Sequence, residues 1–185
     1  MAQAIIGNSF GETLNGTADG EEIFGLGGFD ALNGNDGDDT LDGGTGNDTL
    51  NGGTGDNTYL IGKGEGNDVI AAFYDSTAYN GTTAGKLNTL QFKPDVAVSD
   101  VSVIRSGDDL LFTIGASDTL RVERFFYDNN HLNGSNPSSK SSSMTAPLGI
   151  SKPLTPRLLK EVLTLILFEA PCMAIHWVAQ QAMIP

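Results

Sequence analysis

Glycine recurs at every ninth residue along the first third of this sequence. The positions that share the spacing are Gly7, Gly16, Gly25, Gly34, Gly43 and Gly52. A fixed period of this kind is the signature of a repeat architecture, in which each unit stacks on its neighbours instead of folding alone. The best single copy of the unit is GGTGNDTLN at 43–51. The period therefore predicts a stack of short, equal units over residues 1–71.

Three further positions of the unit are almost as regular as the first. The fourth position is glycine from the third unit onward, at Gly28, Gly37, Gly46 and Gly55. The sixth position reads Glu12, Glu21, Asp30, Asp39, Asp48 and Asn57. The eighth position reads Leu14, Ile23, Leu32, Leu41, Leu50 and Tyr59. After a slip of two residues, a further unit fits with Gly64, Gly66, Asp68 and Ile70.

This pattern predicts a tight glycine-rich turn that leads into a very short strand. In such a strand the eighth residue faces inward, and the seventh and ninth residues face outward. Two units would make one turn of a flattened coil, with parallel strands stacked on two faces. The sixth-position acid of one unit would then lie above that of the unit two further along.

The charge of the chain makes such a coil unstable without a cation. Residues 7–71 carry 13 acidic residues and one basic residue, Lys63, and the whole chain has a net charge of −13. Two carboxylates about 5 Å apart repel by about 3 kcal/mol at an effective dielectric constant near 20. One buried leucine per unit contributes only about 1.5–3 kcal/mol, whereas ordering the backbone costs about 1–2 kcal/mol per residue. We therefore expect the metal-free repeats to be largely unfolded, and an oxygen-only ligand set favours Ca²⁺ over Zn²⁺ or Mg²⁺.

The repeat is similar to the G-G-x-G-x-D-x-U-x unit of the repeats-in-toxin (RTX) family of calcium-binding β-rolls. The resemblance implies a parallel β-roll with Ca²⁺ held between neighbouring turns on the same side. It pairs Asp30 with Asp48 and Asp48 with Asp68, and it pairs Asp39 more weakly with Asn57. Residues assigned in this way to the metal sites, including turn carbonyls, are Gly28, Asp30, Gly37, Asp39, Gly46, Asp48, Gly55, Asn57 and Asp68.

The first two units depart from this pattern. Glu12 and Glu21 replace the aspartate, and Phe10 and Asp19 replace the fourth-position glycine. We expect the roll to begin in these units, with poor or absent metal sites.

Residues 72–134 predict a β-rich capping region. A loop at 72–86 is followed by strand-like runs at 87–92, 101–106, 110–115 and 119–126. This region resembles the haemolysin-type calcium-binding-related segment that follows many RTX arrays. It would cover the last unit, because open repeat stacks need terminal caps.

The end of the chain has a different composition. Residues 135–153 are typical of a Ser/Pro-rich linker, and residues 154–185 predict a helical tail that is either export-related or non-native. The longest uncharged apolar stretch, 162–168, is far shorter than the roughly 20 residues of a membrane-spanning helix. The predicted fold class is mainly β: a parallel β-roll with an antiparallel β cap and a helical tail.

Several function classes fit the sequence poorly. The acidic balance argues against nucleic acid or an anionic membrane as a partner. The match to G-x-S-x-G at 7–11 continues the repeat, and His131 and His176 lie in different segments. We therefore expect no catalytic residues. No basic region followed by an apolar stretch begins the chain, so we expect no N-terminal signal peptide.

These observations predict a non-enzymatic module that binds calcium ions and folds on them outside the cell. The RTX resemblance implies a protein that leaves the cell through type I export machinery. Two alternatives stay open. The chain is the C-terminal secretion or stability module of a larger enzyme or toxin with an upstream domain, or it is a calcium-dependent adhesive surface protein.

Overall fold

The computed structural model describes residues 2–71, 88–107 and 109–123. The predictions made for 72–86, for 124–134, for the linker 135–153 and for the tail 154–185 lie outside these residues. Within the described ranges, no helix is long and apolar enough to cross a membrane.

The repeat region folds into eight short strands, each preceded or followed by a glycine-rich turn. The strands are β1 (Gln3–Ile6), β2 (Thr13–Asn15), β3 (Glu21–Phe24), β4 (Ala31–Asn33), β5 (Thr40–Asp42), β6 (Thr49–Asn51), β7 (Thr58–Ile61) and β8 (Asn67–Ile70). Each strand is three or four residues long, because the unit leaves only its last few positions free of turn-forming residues.

The strands alternate between two parallel sheets. The odd-numbered strands follow one another in one sheet, and the even-numbered strands do so in the other. Leu14 lies beside Leu32, and Leu32 beside Leu50, so one rung of a sheet is two nine-residue units from the next. The two-residue slip is absorbed between β6 and β8, where Leu50 lies beside Ile70. The prediction of a flattened coil with two units per turn is therefore confirmed.

In the repeat region, the core is built on a column of eighth-position side chains between the two sheets. The central members, Ile23, Leu32, Leu41 and Leu50, have no solvent exposure, and Tyr59 continues the column. Ile5 and Leu14, in the first rung, are only partly buried. The inward orientation predicted for the eighth position is confirmed, and the rung at the beginning of the roll is the least covered.

Four further strands extend both sheets. They are β9 (Thr89–Phe92), β10 (Val101–Ser106), β11 (Asp109–Ile114) and β12 (Asp118–Val122). Strand β9 pairs in parallel with β7, and β12 pairs in parallel with β8. The second sheet then continues from β12 to β11 and β10 with antiparallel pairing. These strands place Leu110, Phe112, Ile114, Leu120 and Val122 in the core.

The turn between β10 and β11 is tight. Ser106 pairs with Asp109, and Gly107 has a φ of 65°, a left-handed value that suits glycine in a two-residue hairpin turn. A short 3₁₀ turn, Val98–Asp100, leads into β10. That these strands act as a cap stays a prediction, and so does their resemblance to a known following segment.

Candidate calcium sites

The turns between strands lie along two edges of the roll, and each edge receives alternate turns. We call one the Asp48 edge, which comprises the turns 7–12, 25–30, 43–48 and 62–66. The other is the Asp39 edge, which comprises the turns 16–20, 34–39 and 52–57. The predicted pairs of sixth-position residues accordingly lie in adjacent rungs of one edge.

Within each edge, sixth-position side chains form a ladder of hydrogen bonds. The backbone N–H of Asp30 donates to Oδ1 of Asp48 at 2.8 Å, and the N–H of Asp48 donates to Oδ1 of Asp68 at 2.9 Å. On the Asp39 edge the N–H of Asp39 donates to Oδ1 of Asn57 at 2.9 Å. The structure therefore brings together all three pairs that the sequence assigns.

The second carboxylate oxygen has no hydrogen-bond donor among the described residues in the inner turns, 25–30, 34–39 and 43–48. Oδ2 of Asp30, of Asp39 and of Asp48 is buried and accepts no hydrogen bond from any described residue. All three residues are at most 3% exposed. A buried oxygen with formal charge and no donor is costly, so each such atom calls for a positively charged partner that the described residues do not supply.

The first-position glycine is required here by close approach. A Cβ on Gly25 would lie 2.5 Å from Oδ2 of Asp30 and 2.5 Å from the carbonyl oxygen of Gly43 in the next rung. The carboxylate of each inner unit therefore folds back over the glycine that begins it. This contact explains the nine-residue glycine period better than a special φ value does, because Gly25 is not among the left-handed residues.

The fourth-position glycine is required by both its backbone angle and its neighbours. Gly46 has a φ of 145°, and the carbonyl oxygen of Gly28, in the adjacent rung, occupies the space that a Cβ on Gly46 would take. Gly55 and Gly37 have the same relation on the other edge. The turn carbonyls assigned to metal sites thus follow the edges of the stack beside the carboxylates.

Asn57 changes the character of the Asp39 edge. Its Oδ1 is held by the N–H of Asp39, which turns Nδ2 to the place that Oδ2 takes in an aspartate. Nδ2 is buried and donates to no described residue. Because an amide nitrogen cannot coordinate a hard cation, this pair offers one oxygen fewer than the aspartate pairs do.

Electrostatics show how unfavourable the stacked carboxylates are without a cation. Burial, followed by the charge of Asp30 among other neighbours, raises the pKa of Asp48. Burial also raises the pKa of Asp39, with a further contribution from Glu21. At Asp68, burial and the charges of Asp48 and other carboxylates raise the pKa to about 7. Each shift reflects the free-energy cost of an ionised carboxylate in these positions.

The ligand chemistry of the inner turns fits a hard divalent cation. Every available side-chain ligand is an oxygen, and the unpartnered Oδ2 atoms need a positive charge close by. No group of three or more His, Cys, Asp or Glu side chains gathers around one point in the described residues. A site here would therefore combine carboxylates of adjacent rungs with backbone oxygens, and Asp30, Asp48 and Asp68 are the residues best placed to hold it.

The first two turns satisfy their acids internally. Oε2 of Glu12 accepts the N–H of Asn8 at 2.9 Å, and its Oε1 accepts the Asn8 side-chain amide. Oε2 of Glu21 accepts the N–H of Thr17 at 2.9 Å, and its Oε1 accepts the Thr17 hydroxyl at 2.6 Å. The extra methylene of glutamate lets the carboxylate reach the second residue of its own turn.

Sequence reasoning missed one member of the ladder. Oδ1 of Asn88 accepts the N–H of Asn57 at 3.0 Å and so continues the Asp39 edge into the next rung. The signal was present, because Asn88-Thr89-Leu90 repeats the sixth to eighth positions of a unit. The long insertion between β8 and β9 hid its place in the period.

The G-x-S-x-G match does not form a nucleophile elbow. Residues 7–11 belong to the turn between two short strands, and no helix follows Ser9 before β2. His131 and His176 lie outside the described residues.

Residues 24–59 match the RTX calcium-binding nonapeptide repeat, with four copies. The matched range covers the inner turns of both edges and excludes the two glutamate turns. The predicted family of the repeat is therefore confirmed for this part of the chain. No curated protein matches the chain significantly.

Two solved structures are similar to the described fold. An extracellular lipase, LipA from Serratia marcescens, is 24% identical with a TM-score of 0.46. The match covers 64% of this chain but only 18% of the lipase. The R3 subunit of the AlgE6 mannuronan C5-epimerase from Azotobacter vinelandii is 23% identical with a TM-score of 0.44. That match covers 66% of this chain and 75% of the subunit.

Proposed function

Because residues 24–59 are RTX calcium-binding nonapeptide repeats, we propose that this chain is a calcium-binding β-roll module that folds when it meets calcium outside the cell. The module carries no reaction of its own. At the low calcium concentration of the cytosol the chain stays unfolded and competent for type I export. Outside the cell, millimolar calcium binds the chain and folds it into the roll.

The observation that carries the proposal is the set of unpartnered buried oxygens. Oδ2 of Asp30 and Oδ2 of Asp48 belong to adjacent turns of one edge, and both lack a donor among the described residues. The raised pKa of Asp48 shows that its ionised form is unfavourable in the metal-free fold. A Ca²⁺ ion between the turns would give both oxygens a positively charged partner. It would also remove the repulsion between the two carboxylates.

The same observation implies coupling between folding and binding. The unfolded chain has no preformed pair of stacked carboxylates, so calcium binds the folded state selectively. Affinities of about 10⁻⁴–10⁻³ M, typical of extracellular calcium modules, would separate the cytosolic state from the secreted one.

The test is a calcium titration of the full chain followed by far-UV circular dichroism. We expect little strand signal in a chelator and a cooperative gain of strand signal in the millimolar range. Mg²⁺ at the same concentration should give a much smaller gain, because it prefers a rigid octahedral shell and sheds water reluctantly. A strand spectrum that is identical in chelator and in calcium would overturn the coupled folding.

A second measurement addresses the export part of the proposal. The chain should be secreted by cells that carry a type I exporter and retained by cells that lack it. Secretion without the exporter would contradict this route while leaving the calcium chemistry intact.

A further inference from the structure

Lys93 bridges two acidic side chains from successive rungs, beside the Asp48 edge. Its Nζ donates to Oδ1 of Asp42 at 2.8 Å and to Oε1 of Glu65. Asp42 ends β5, and Glu65 belongs to the turn after β7, so the ammonium group bridges adjacent rungs. The lysine itself comes from the rung after these two, directly behind β9.

The first three backbone N–H groups of the turn 62–66 all donate to carboxylates. The N–H of Gly62 donates to Oε2 of Glu65 at 2.6 Å, that of Lys63 to Oδ2 of Asp95 at 2.9 Å, and that of Gly64 to Oδ2 of Asp118 at 2.5 Å. Three consecutive backbone donors therefore meet three different carboxylates. Two of those carboxylates come from the segment that follows the repeats.

This turn adjoins the best candidate calcium pair. The carbonyl oxygen of Glu65 accepts the N–H of Gly46 at 2.7 Å. The N–H of Asp48, two residues further, donates to Oδ1 of Asp68 at 2.9 Å. The position of the turn 62–66 therefore fixes the separation between Asp48 and Asp68.

The charges around Lys93 distinguish it from an ordinary surface lysine. Its side chain is 24% exposed, and those of Asp42 and Glu65 are 15% and 11% exposed. Burial lowers the pKa of Lys93, but its hydrogen bonds to the two carboxylates outweigh that effect and raise it. Removing one partner of a partly buried pair leaves an uncompensated charge, which costs far more than losing a surface pair.

We propose that Lys93 is a built-in cation of the roll: its ammonium group holds Asp42 and Glu65 together in place of a divalent ion and so fixes the turn 62–66 next to the Asp48–Asp68 pair. The changes in calcium binding that we expect from this inference rest on the proposed function. The start of the turn 62–66, next to β5 and β7, is thus held by Lys93, whereas Asp48 and Asp68, at the other end of the same two turns, stay available to calcium.

The test is Lys93→Met in the full chain, with the calcium titration read by circular dichroism and the bound calcium counted by equilibrium dialysis. Without the ammonium group, Asp42 and Glu65 repel each other, and the vacated position needs a divalent ion. We expect the calcium midpoint of folding to rise by roughly threefold to tenfold, with an additional ion bound per chain.

Lys63→Met is the matched control. Lys63 is also in this turn, but its ion pair with Asp100, at 2.5 Å, joins side chains that are 39% and 25% exposed. Its loss should move the midpoint by less than about twofold, because exposed pairs contribute little.

A second variant separates the charge of Lys93 from its packing. In the Lys93→Met background, Glu65→Gln removes one of the two carboxylates that lost the ammonium group, which ends their mutual repulsion and should return the midpoint towards that of the natural chain. Lys93→Arg, which keeps the charge, should stay near the natural midpoint even if Lys93→Met does not fold at all. An unchanged midpoint in Lys93→Met, or no rescue by Glu65→Gln, would overturn the inference.

Failure of the proposed function would look different. If the natural chain gains no structure on adding calcium, the calcium proposal is wrong, whatever Lys93 does. If the natural chain folds on calcium and Lys93→Met behaves like Lys63→Met, only the role of Lys93 is wrong.

Discussion

The inner turns and the end turns of the roll differ in whether protein donors satisfy both oxygens of the carboxylate. In the inner turns an aspartate folds over the first glycine and leaves Oδ2 buried without a donor. In the first two units a glutamate, Glu12 or Glu21, reaches the second residue of its own unit, and both of its carboxylate oxygens accept hydrogen bonds. In the turn 62–66, Glu65 pairs with Lys93 and accepts the N–H of Gly62.

The difference follows in part from side-chain length, because the extra methylene group of glutamate carries its carboxylate to the second residue of its own unit. The ladder hydrogen bond to the next rung is kept in both classes, but the backbone differs, because the second and fourth positions are left-handed in the inner units and not in the first two. Side-chain length and backbone conformation together decide where the second carboxylate oxygen lies.

The largest effect should come from Gly46→Ala, which breaks the stack in an inner turn. A Cβ at this position would overlap the carbonyl oxygen of Gly28, and the φ of 145° is unfavourable for alanine. We expect a loss of about 3 kcal/mol or more in the free energy of unfolding, which abolishes the calcium-induced fold.

Gly64→Ala is the control for that change. Gly64 also has a positive φ, of 73°, but nothing lies near its missing Cβ. Only the backbone cost of about 1 kcal/mol should appear in chemical denaturation with calcium present. Equal losses at the two positions would contradict the close approach of adjacent turns.

Asp48→Asn should remove calcium binding from the Asp48 edge without breaking the hydrogen-bond ladder. The amide keeps an oxygen for the N–H of Asp30, but it puts a nitrogen in place of the free Oδ2. Because Asp48 belongs to two pairs, the number of bound ions should fall by more than one, as measured by calorimetric titration.

Glu12→Gln is the matched change in an end turn. Glu12 is satisfied by Asn8, so calcium stoichiometry should stay the same. A similar loss of ions in both variants would show that the end turns bind calcium as well.

Asn57→Asp should make the Asp39 edge more like the Asp48 edge. The substitution replaces the buried Nδ2, which lacks an acceptor among the described residues, with a carboxylate oxygen. We expect tighter calcium binding by about tenfold at one site, because carboxylate count sets the affinity of such sites. Metal-free stability should fall, since another buried charge is added. An unchanged calcium midpoint would argue against a site between Asp39 and residue 57.

The smallest effect should come from Glu21→Asp, which converts an end turn towards the inner type. The shorter side chain loses its bonds to the N–H and the hydroxyl of Thr17. Metal-free stability should fall by about 1 kcal/mol per lost hydrogen bond. Addition of calcium should recover part of this loss, which denaturation with and without the ion would measure. No recovery would show that side-chain length alone does not create a metal-dependent turn.

Much of the roll was predictable because its information is local and periodic. The nine-residue glycine period, the inward Leu41 and the pairing of Asp30 with Asp48 all follow from one repeated unit. The strands at 101–106 and 110–115 were also visible as alternating runs. Asn88 was missed because an insertion interrupts the period, although its neighbours repeat the motif.

The sequence by itself determined the coil, its period, its inward column and the acids that stack along each edge, since these depend on residues a fixed distance apart. Only the tertiary structure decided which carboxylates are already satisfied. Glu21 finds Thr17 within its own turn, but Glu65 finds Lys93 from a different rung, 28 residues away. The repeat period does not encode the contact between Glu65 and Lys93, because that contact depends on how the strands after the repeats pair with the open edge of the first sheet.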